Sequence, residues 1–124
     1  MSFYIGDNLG LDDDASEGDL AVLVMGGELD YEASPQLRTR VVGAIKAGRR
    51  RLVLDLSEVT FIDSTAIGVL AGALARLDEV GGGSLAVVCT HEKVLEIFEI
   101  TGLDSVITLH DSHDEALSAL SLAG

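Results

Sequence analysis

Residues 51–70, RLVLDLSEVTFIDSTAIGVL, contain the change of pattern that decides the fold. They begin with a short run of large apolar and β-branched residues, which predicts a buried strand over residues 51–56. From residue 64 onward, apolar side chains recur at spacings of 3, 4 and 3 residues, which places them on one face of a helix. This apolar stripe consists of Ile67, Leu70, Leu74 and Leu77. Three glycines at 81–83 predict the end of this helix, so a strand leads directly into a helix over residues 64–80.

The same alternation of strands and helices continues on both sides of this segment. Short apolar runs predict further strands at residues 3–5, 20–24, 85–89 and 106–109. A first helix is predicted with Ser34 as its cap and Pro35 at the first helical position. Two more helices are predicted at residues 92–100 and after Ser112, which opens a capping box. The order of elements predicts an α/β fold with a mixed, mostly parallel sheet of about five strands and about four helices, in which the early strand pair adds an edge of mixed direction.

The length and composition indicate one domain over residues 1–124. Of the 124 residues, 48% are apolar, so the chain can bury a sizeable core and is not of the disordered class. No apolar run approaches the roughly 20 residues of a membrane-spanning helix, and the N-terminal residues lack the pattern of a signal peptide. We therefore expect a cytoplasmic protein without membrane insertion. Residues 10–19 contain five acids and no base, which predicts an exposed acidic loop, either partner-specific or merely solvated.

The charge distribution argues against polyanionic partners. With 21 acids and 8 bases the net charge is −13, which disfavours binding to nucleic acid and to anionic membranes. Six of the eight bases nevertheless fall close together in the chain: Arg38, Arg40, Lys46, Arg49, Arg50 and Arg51. This cluster is typical of a solvated helix face with cations near its C-terminus, and a partner-docking edge is the alternative interpretation.

No pattern in the sequence predicts catalysis, a metal ion or a cofactor. Cys89 is the single cysteine and lies in an apolar run, which predicts a small core residue rather than a nucleophile. His110 and His113 have a spacing that metal ligands on one helix can share, but Ser112 is the predicted cap, which leaves His110 outside the helix. Neither a GxxxxGK phosphate loop nor a GxSxG motif is present, so we expect no enzyme activity and no bound cofactor.

The segment FIDSTAIG at residues 61–68 joins the strand to the helix and is the main candidate for a functional site. In parallel sheets, binding sites gather where strands end and helices begin. Asp63, Ser64 and Thr65 are all residue types suited to this position, yet a helix needs only one cap. Capping alone is one interpretation. Phosphorylation of a hydroxyl is the other, because the N–H groups and the dipole of a helix N-terminus tolerate a phosphate.

Four segments in the same order resemble the STAS domain and, within it, the stand-alone anti-sigma factor antagonists of bacteria. They read GELDYEASPQLR, LVLDLSEVTFIDSTAIGVL, GGGSLAVV and VLEIFEITGLDSVITLHDSHDEAL. The resemblance implies that the unphosphorylated protein binds an anti-sigma factor, a serine kinase of the histidine-kinase-like ATPase fold, and so frees a sigma factor. It also implies that phosphorylation releases the kinase, that a serine phosphatase restores binding, and that the protein is a monomer.

The resemblance also assigns roles to individual residues. It implies that Ser64, directly after the aspartate of the motif, is the phosphorylated residue, with Thr65 as the second choice. Asp63 and Asp30 match acidic positions that family members present to the partner.

Small residues after the hydroxyls are expected to let the partner approach closely. These are Ala66, where the family often has glycine, and Gly68. The alternative function is a STAS adaptor without a switch, such as a structural subunit of a stress-signalling or lipid-transport complex. In that case the turn at residues 63–65 serves only capping and packing.

Overall fold

The structure, a computed structural model, describes residues 3–7 and 20–123, so the acidic loop predicted at residues 10–19 lies outside the described residues. The strands are β1 (Phe3–Asp7), β2 (Leu20–Leu29), β3 (Arg51–Ile62), β4 (Ser84–Val88) and β5 (Thr108–His110). The helices are α1 (Ser34–Lys46), α2 (Ser64–Val80), α3 (Glu92–Thr101) and α4 (His113–Ala123), with a 3₁₀ turn at Leu103–Ser105. The predicted α/β class is confirmed.

The strands of the described chain form one mixed sheet in the order β1-β2-β3-β4-β5. β1 runs antiparallel to β2, whereas the other neighbouring strands are parallel. This confirms the prediction of a mostly parallel sheet with one edge strand of opposite direction. Parallel neighbours need a crossover that returns the chain to the same end of the sheet, and α1, α2 and α3 provide it.

Helices cover both faces of the sheet, so its inner strands are buried on two sides. α1, α2 and α3 pack on one face, against alternate strand residues such as Leu54 and Val87. α4 packs on the other face, where Ala116 and Leu120 share a cluster with Val53. Burial on both faces explains why the strands appear in the sequence as nearly continuous apolar runs. Within the described ranges, we find no helix with the length and apolar character needed to span a membrane.

Three strands are longer than the sequence predicts: β1 continues to Asp7 instead of ending at residue 5, and two inner strands extend further. β2 continues to Leu29 instead of ending at residue 24, and β3 continues to Ile62 instead of ending at residue 56. The prediction fails because glycines and polar residues are poor strand formers, yet here the two strands pair with each other beyond the end of β4. The extension carries both strands to one end of the sheet, where Leu29 pairs with Ile62.

Helix ends agree with the prediction where a glycine determines them. α2 begins at Ser64 and ends at Val80, as predicted, and Gly81 follows with a φ of 81°. α3 is followed by Gly102, whose φ of 79° lies in the left-handed region that glycine adopts without strain.

Replacing Gly102 with alanine is expected to lower the free energy of unfolding by about 1 kcal/mol, because a Cβ is strained in the left-handed conformation. Apart from Gly102 and its two neighbours in the chain, no residue has an atom within 4 Å of the position that this Cβ would occupy, so backbone strain rather than collision is the cause. Urea denaturation measures the change. Gly72→Ala is the matched control, since Gly72 lies inside α2 with open space around it and alanine favours helix there. A Gly102→Ala protein as stable as the wild type would contradict the prediction.

Candidate functional site

The candidate site lies at the end of the sheet where β2 and β3 finish side by side. Leu29 and Ile62 are the last paired residues of these strands, and the Asp63 N–H donates to the Leu29 carbonyl oxygen at 3.2 Å. Asp30 and Asp63 therefore follow the two strands at neighbouring positions. Each of them precedes a helix, so α1 and α2 begin at the same edge of the sheet.

Asp63 is the N-cap of α2. Its Oδ1 atom accepts hydrogen bonds from the Thr65 N–H at 3.0 Å, the Ala66 N–H at 3.2 Å and the Thr65 hydroxyl at 2.5 Å. Partial burial raises the pKa of the Asp63 carboxyl, but the hydrogen bonds from Thr65, Ala66 and the Tyr31 N–H outweigh it, so this pKa lies below its ordinary value. Asp63 is therefore ionised at neutral pH and occupies the first N–H groups of the helix.

Contrary to the prediction, Ser34 is not the cap of α1 but its first residue, so Pro35 is the second residue of the helix rather than the first. The turn before the helix is held by Asp30, whose Oδ1 atom accepts hydrogen bonds from the N–H groups of Glu32 and Ala33 at 3.0 and 3.2 Å. The Ser34 hydroxyl donates to the Asp30 carbonyl oxygen at 2.9 Å. The prediction fails because an aspartate earlier in the chain closes the turn first. Asp30 is only 2% exposed, so its carboxylate is not presented at the surface in the way that the resemblance implies.

A pair of hydroxyl groups joins the N-termini of the two helices. The hydroxyl oxygens of Ser34 and Thr65 lie 3.0 Å apart, although these residues are 31 positions apart in the chain. Thr65 donates its hydroxyl hydrogen to Asp63, so it acts as the acceptor in its contact with Ser34. The single Ser34 hydrogen is shared between Thr65 and the Asp30 carbonyl oxygen. Since Ser34 is 8% exposed, this contact is largely shielded from water and ties α1 to α2.

Thr65→Val is expected to lower the free energy of unfolding by about 1 kcal/mol. Valine keeps the shape of threonine but removes the hydroxyl, so Asp63 loses a donor and Ser34 loses its partner across the helices. Urea denaturation followed by circular dichroism measures the change. Thr60→Val is the matched control, because the Thr60 hydroxyl makes a weak contact of 3.5 Å with the Gly27 carbonyl oxygen. Equal effects of the two substitutions would contradict the role assigned to Thr65.

Ser64 differs from Thr65, which is also exposed, in the contacts of its side chain. It is the first residue of α2 and is exposed, and among the residues that the structure describes none forms a hydrogen bond with its hydroxyl. The sequence predicts that N–H groups of the helix hold a phosphate at this position, but the Asp63 carboxylate already occupies those of Thr65 and Ala66. A phosphate on Ser64 would instead face outward, beside a carboxylate.

The remaining predicted partner-binding residues divide between the core and the surface. Ala66 is fully buried, so its side chain belongs to the core, whereas Gly68 is exposed with open space where a Cβ would lie. Two exposed aromatic residues near the site, Tyr31 and Phe61, are missing from the sequence prediction. Their signal is positional, because Tyr31 directly follows Asp30 and Phe61 precedes Asp63 by two residues, in a chain with only 4% aromatic residues.

The histidines and the cysteine considered in the sequence lie in other surroundings. His113 Nδ1 is 3.5 Å from an oxygen of Asp55, whereas His110 Nε2 is 2.9 Å from the Thr108 hydroxyl, so the two imidazoles have different partners. In residues 3–7 and 20–123, no group of three or more histidine, cysteine, aspartate or glutamate side chains is arranged to hold a metal ion. Cys89 is buried in the core, as predicted, and burial raises the pKa of its thiol.

Known proteins similar to this chain share both its sequence and its fold. The STAS domain family matches residues 13–116. The anti-sigma-B factor antagonist of Bacillus subtilis (strain 168) is 32% identical over 102 residues, which cover 82% of this chain and 91% of that protein. The anti-sigma F factor antagonist of Paenibacillus polymyxa is 28% identical over 102 residues, which cover 82% of this chain and 86% of that protein.

A solved structure agrees with these relatives. The crystal structure of an anti-sigma factor antagonist from Mycobacterium paratuberculosis matches with a TM-score of 0.82 at 27% identity, and the match covers 97% of this chain and 95% of that chain. The sheet order, the paired helix N-termini and these similarities lead to one conclusion: the chain belongs to the STAS domain family, with relatives named anti-sigma factor antagonists.

Proposed function

We propose that this protein is an anti-sigma factor antagonist switched by phosphorylation of Ser64. Its unphosphorylated form binds an anti-sigma factor, a serine kinase of the histidine-kinase-like ATPase fold, and so frees a sigma factor. Phosphorylation of Ser64 releases the kinase, and a serine phosphatase restores binding. The names of the relatives support the anti-sigma factor as the partner. The observation that carries the proposal is the exposed Ser64 hydroxyl, which has no hydrogen-bonding partner in the described chain.

The hydrogen bonds favour Ser64 over Thr65 as the phosphorylated residue. Thr65 donates to Asp63 and accepts from Ser34, so phosphorylation would break both contacts and place the phosphate against the Asp63 carboxylate. Modification of Ser64 breaks no contact within the described chain. A kinase must align the attacking hydroxyl with the γ-phosphate of its nucleotide. Thr65 is exposed as well, but its hydroxyl would first have to leave Asp63 and Ser34, whereas the Ser64 hydroxyl has no such contact to break.

Phosphorylation of Ser64 would change the surface more than the fold. A phosphoserine adds about 1.5 to 2 negative charges at neutral pH. The ionised Asp63 lies beside it, and this carboxylate already binds the N–H groups of Thr65 and Ala66, so these two donors are not available to the phosphate. The added charge therefore lies on the surface that contacts the partner. Covering this surface with a partner would strip water from the phosphate and from Asp63 together, and burial of such uncompensated charge is unfavourable enough to release a bound protein.

A phosphorylation assay tests the proposal. The purified protein is incubated with magnesium and ATP and, in turn, with each ATPase-type anti-sigma factor encoded in its source genome, and mass spectrometry locates the phosphate. We expect phosphate on Ser64 in the wild type and in Thr65→Val, and none in Ser64→Ala. Phosphate confined to Thr65 would overturn the assignment of the residue.

A second outcome would favour the alternative function. If no such kinase modifies the protein, the turn at residues 63–65 serves only capping and packing. The protein would then act as an adaptor or a structural subunit of a stress-signalling or lipid-transport complex.

A further inference from the structure

A groove between α1 and α2 begins one helical turn after Ser64. Its volume is about 170 Å³, and it is lined by Gly68 and Gly72 of α2 and by the partly buried side chains of Val42 and Val69. Neither glycine has an atom within 4 Å of the position that a Cβ would take, so this part of the groove is open. Residues four apart share a helix face, so the groove continues the surface that presents Ser64.

Two arginines border this groove, one from each helix. Arg38 of α1 and Arg76 of α2 both line it. Within the described part of the chain, neither guanidinium takes part in a hydrogen bond or an ion pair. Carboxylates are abundant in this protein, with 21 acids and 8 bases, so unpaired arginines are not explained by a lack of partners. They create a locally positive surface on a chain with a net charge of −13.

We propose that this arginine groove, defined by Arg38, Arg76, Gly68 and Gly72, is a docking surface for a carboxylate-bearing segment of the anti-sigma factor. The inference rests on the proposed function and specifies the chemistry of its partner. The guanidinium group presents a planar fork of donors that matches a carboxylate, so an aspartate or glutamate of the partner is its counterpart. The glycines leave room for that segment to approach α2 closely.

The walls of the groove favour a protein segment over a free anion. One common kind of small-anion site uses the free N–H groups of a helix N-terminus, whereas this groove lies along two helices, beyond the first turn, where such groups are engaged. Val42 and Val69 offer apolar contact that an inorganic anion cannot use. The protein has a large excess of acidic residues, which attract basic groups of a partner. At this groove the charges are reversed, with the cations on this protein and the carboxylate on the partner, and such a contact would fix the orientation of the partner.

The test uses the full chain and the anti-sigma factor that phosphorylates it. Calorimetry at low and high salt measures Kd for the wild type, for the double variant Arg38→Gln/Arg76→Gln, and for Gly72→Leu, which fills the groove without changing the charge. Lys46→Gln is the matched control, because Lys46 is an exposed base of α1 outside the groove. We expect binding about 5- to 30-fold weaker for the double variant, with a smaller dependence on salt, a similar loss for Gly72→Leu, and no change for the control.

The outcomes separate this inference from the proposed function. If both groove variants bind as tightly as the wild type while Ser64 is still phosphorylated, the groove inference is overturned and the proposed function stands. If no anti-sigma factor binds or modifies the wild type, both are wrong. If the variants lose self-association in sedimentation velocity while Kd stays the same, the groove contacts a second copy of this chain, and the inference is again overturned.

Discussion

Ser64→Asp is expected to weaken binding of the anti-sigma factor by about 10- to 100-fold, because the new carboxylate would lose its hydration in the interface, and burial of an uncompensated charge is strongly unfavourable. The new carboxylate would lie beside Asp63, which is ionised at neutral pH. It does not gain the N–H groups of Thr65 and Ala66 as donors, since Asp63 already binds them. Calorimetry with the kinase identified by the phosphorylation assay measures the effect.

Ser64→Asn is the matched control, since asparagine has nearly the size of aspartate without its charge. We expect it to bind almost as tightly as the wild type. A loss that is equal for asparagine and aspartate would make size rather than charge the cause. Aspartate carries less charge than a phosphate, so the phosphorylated protein is expected to bind more weakly than Ser64→Asp. Full binding by the phosphorylated protein would rule out the switch.

The junction of β3 and α2 is predictable from the sequence because its signals are local. The apolar spacing after residue 63 and the glycines after residue 80 give both ends of α2 correctly. The same kind of pattern ends β2 too early, since Gly26 and Gly27 interrupt it and only the pairing with β3 restores the strand. The strand propensity of a local segment does not include the effect of pairing with a strand that is distant in the chain.

The hydroxyl pair at the site is hidden from sequence reasoning for a related reason. A serine before a proline is a common helix start, so the sequence predicts that Ser34 is a cap. In the structure its hydroxyl instead contacts that of Thr65, which lies 31 positions away in the chain. Apart from the resemblance, which favours Ser64, the sequence gives no physical difference between the adjacent hydroxyls of Ser64 and Thr65. Only the contacts of Thr65 with Ser34 and Asp63, brought together by the extended strands, distinguish the two.

Asp63→Ala is expected to lower the free energy of unfolding by about 1 to 2 kcal/mol at neutral pH, because it removes the N-cap of α2. The N–H groups of Thr65 and Ala66 and the Thr65 hydroxyl lose their acceptor together. Asp63→Asn is the matched control. Asparagine caps helices about as well as aspartate, so only the charge at the helix N-terminus is lost, which is worth about 0.3 to 1 kcal/mol. Urea denaturation measures both changes.

The stability difference between the wild type and Asp63→Asn is further expected to depend on pH. Partial burial raises the pKa of Asp63 and its hydrogen bonds lower it by more, so the folded-state pKa lies below that of the unfolded chain, which is about 3.9. The stabilisation is therefore fully present above the unfolded-state pKa and is lost as the pH falls through the folded-state pKa. The free energies of unfolding of both proteins, measured at a series of pH values from neutral to acid, give this stability difference at each pH. A difference that stays constant would show that the charge does not contribute. One that disappears in acid would show that an ionised cap holds the helix start where Ser64 is presented.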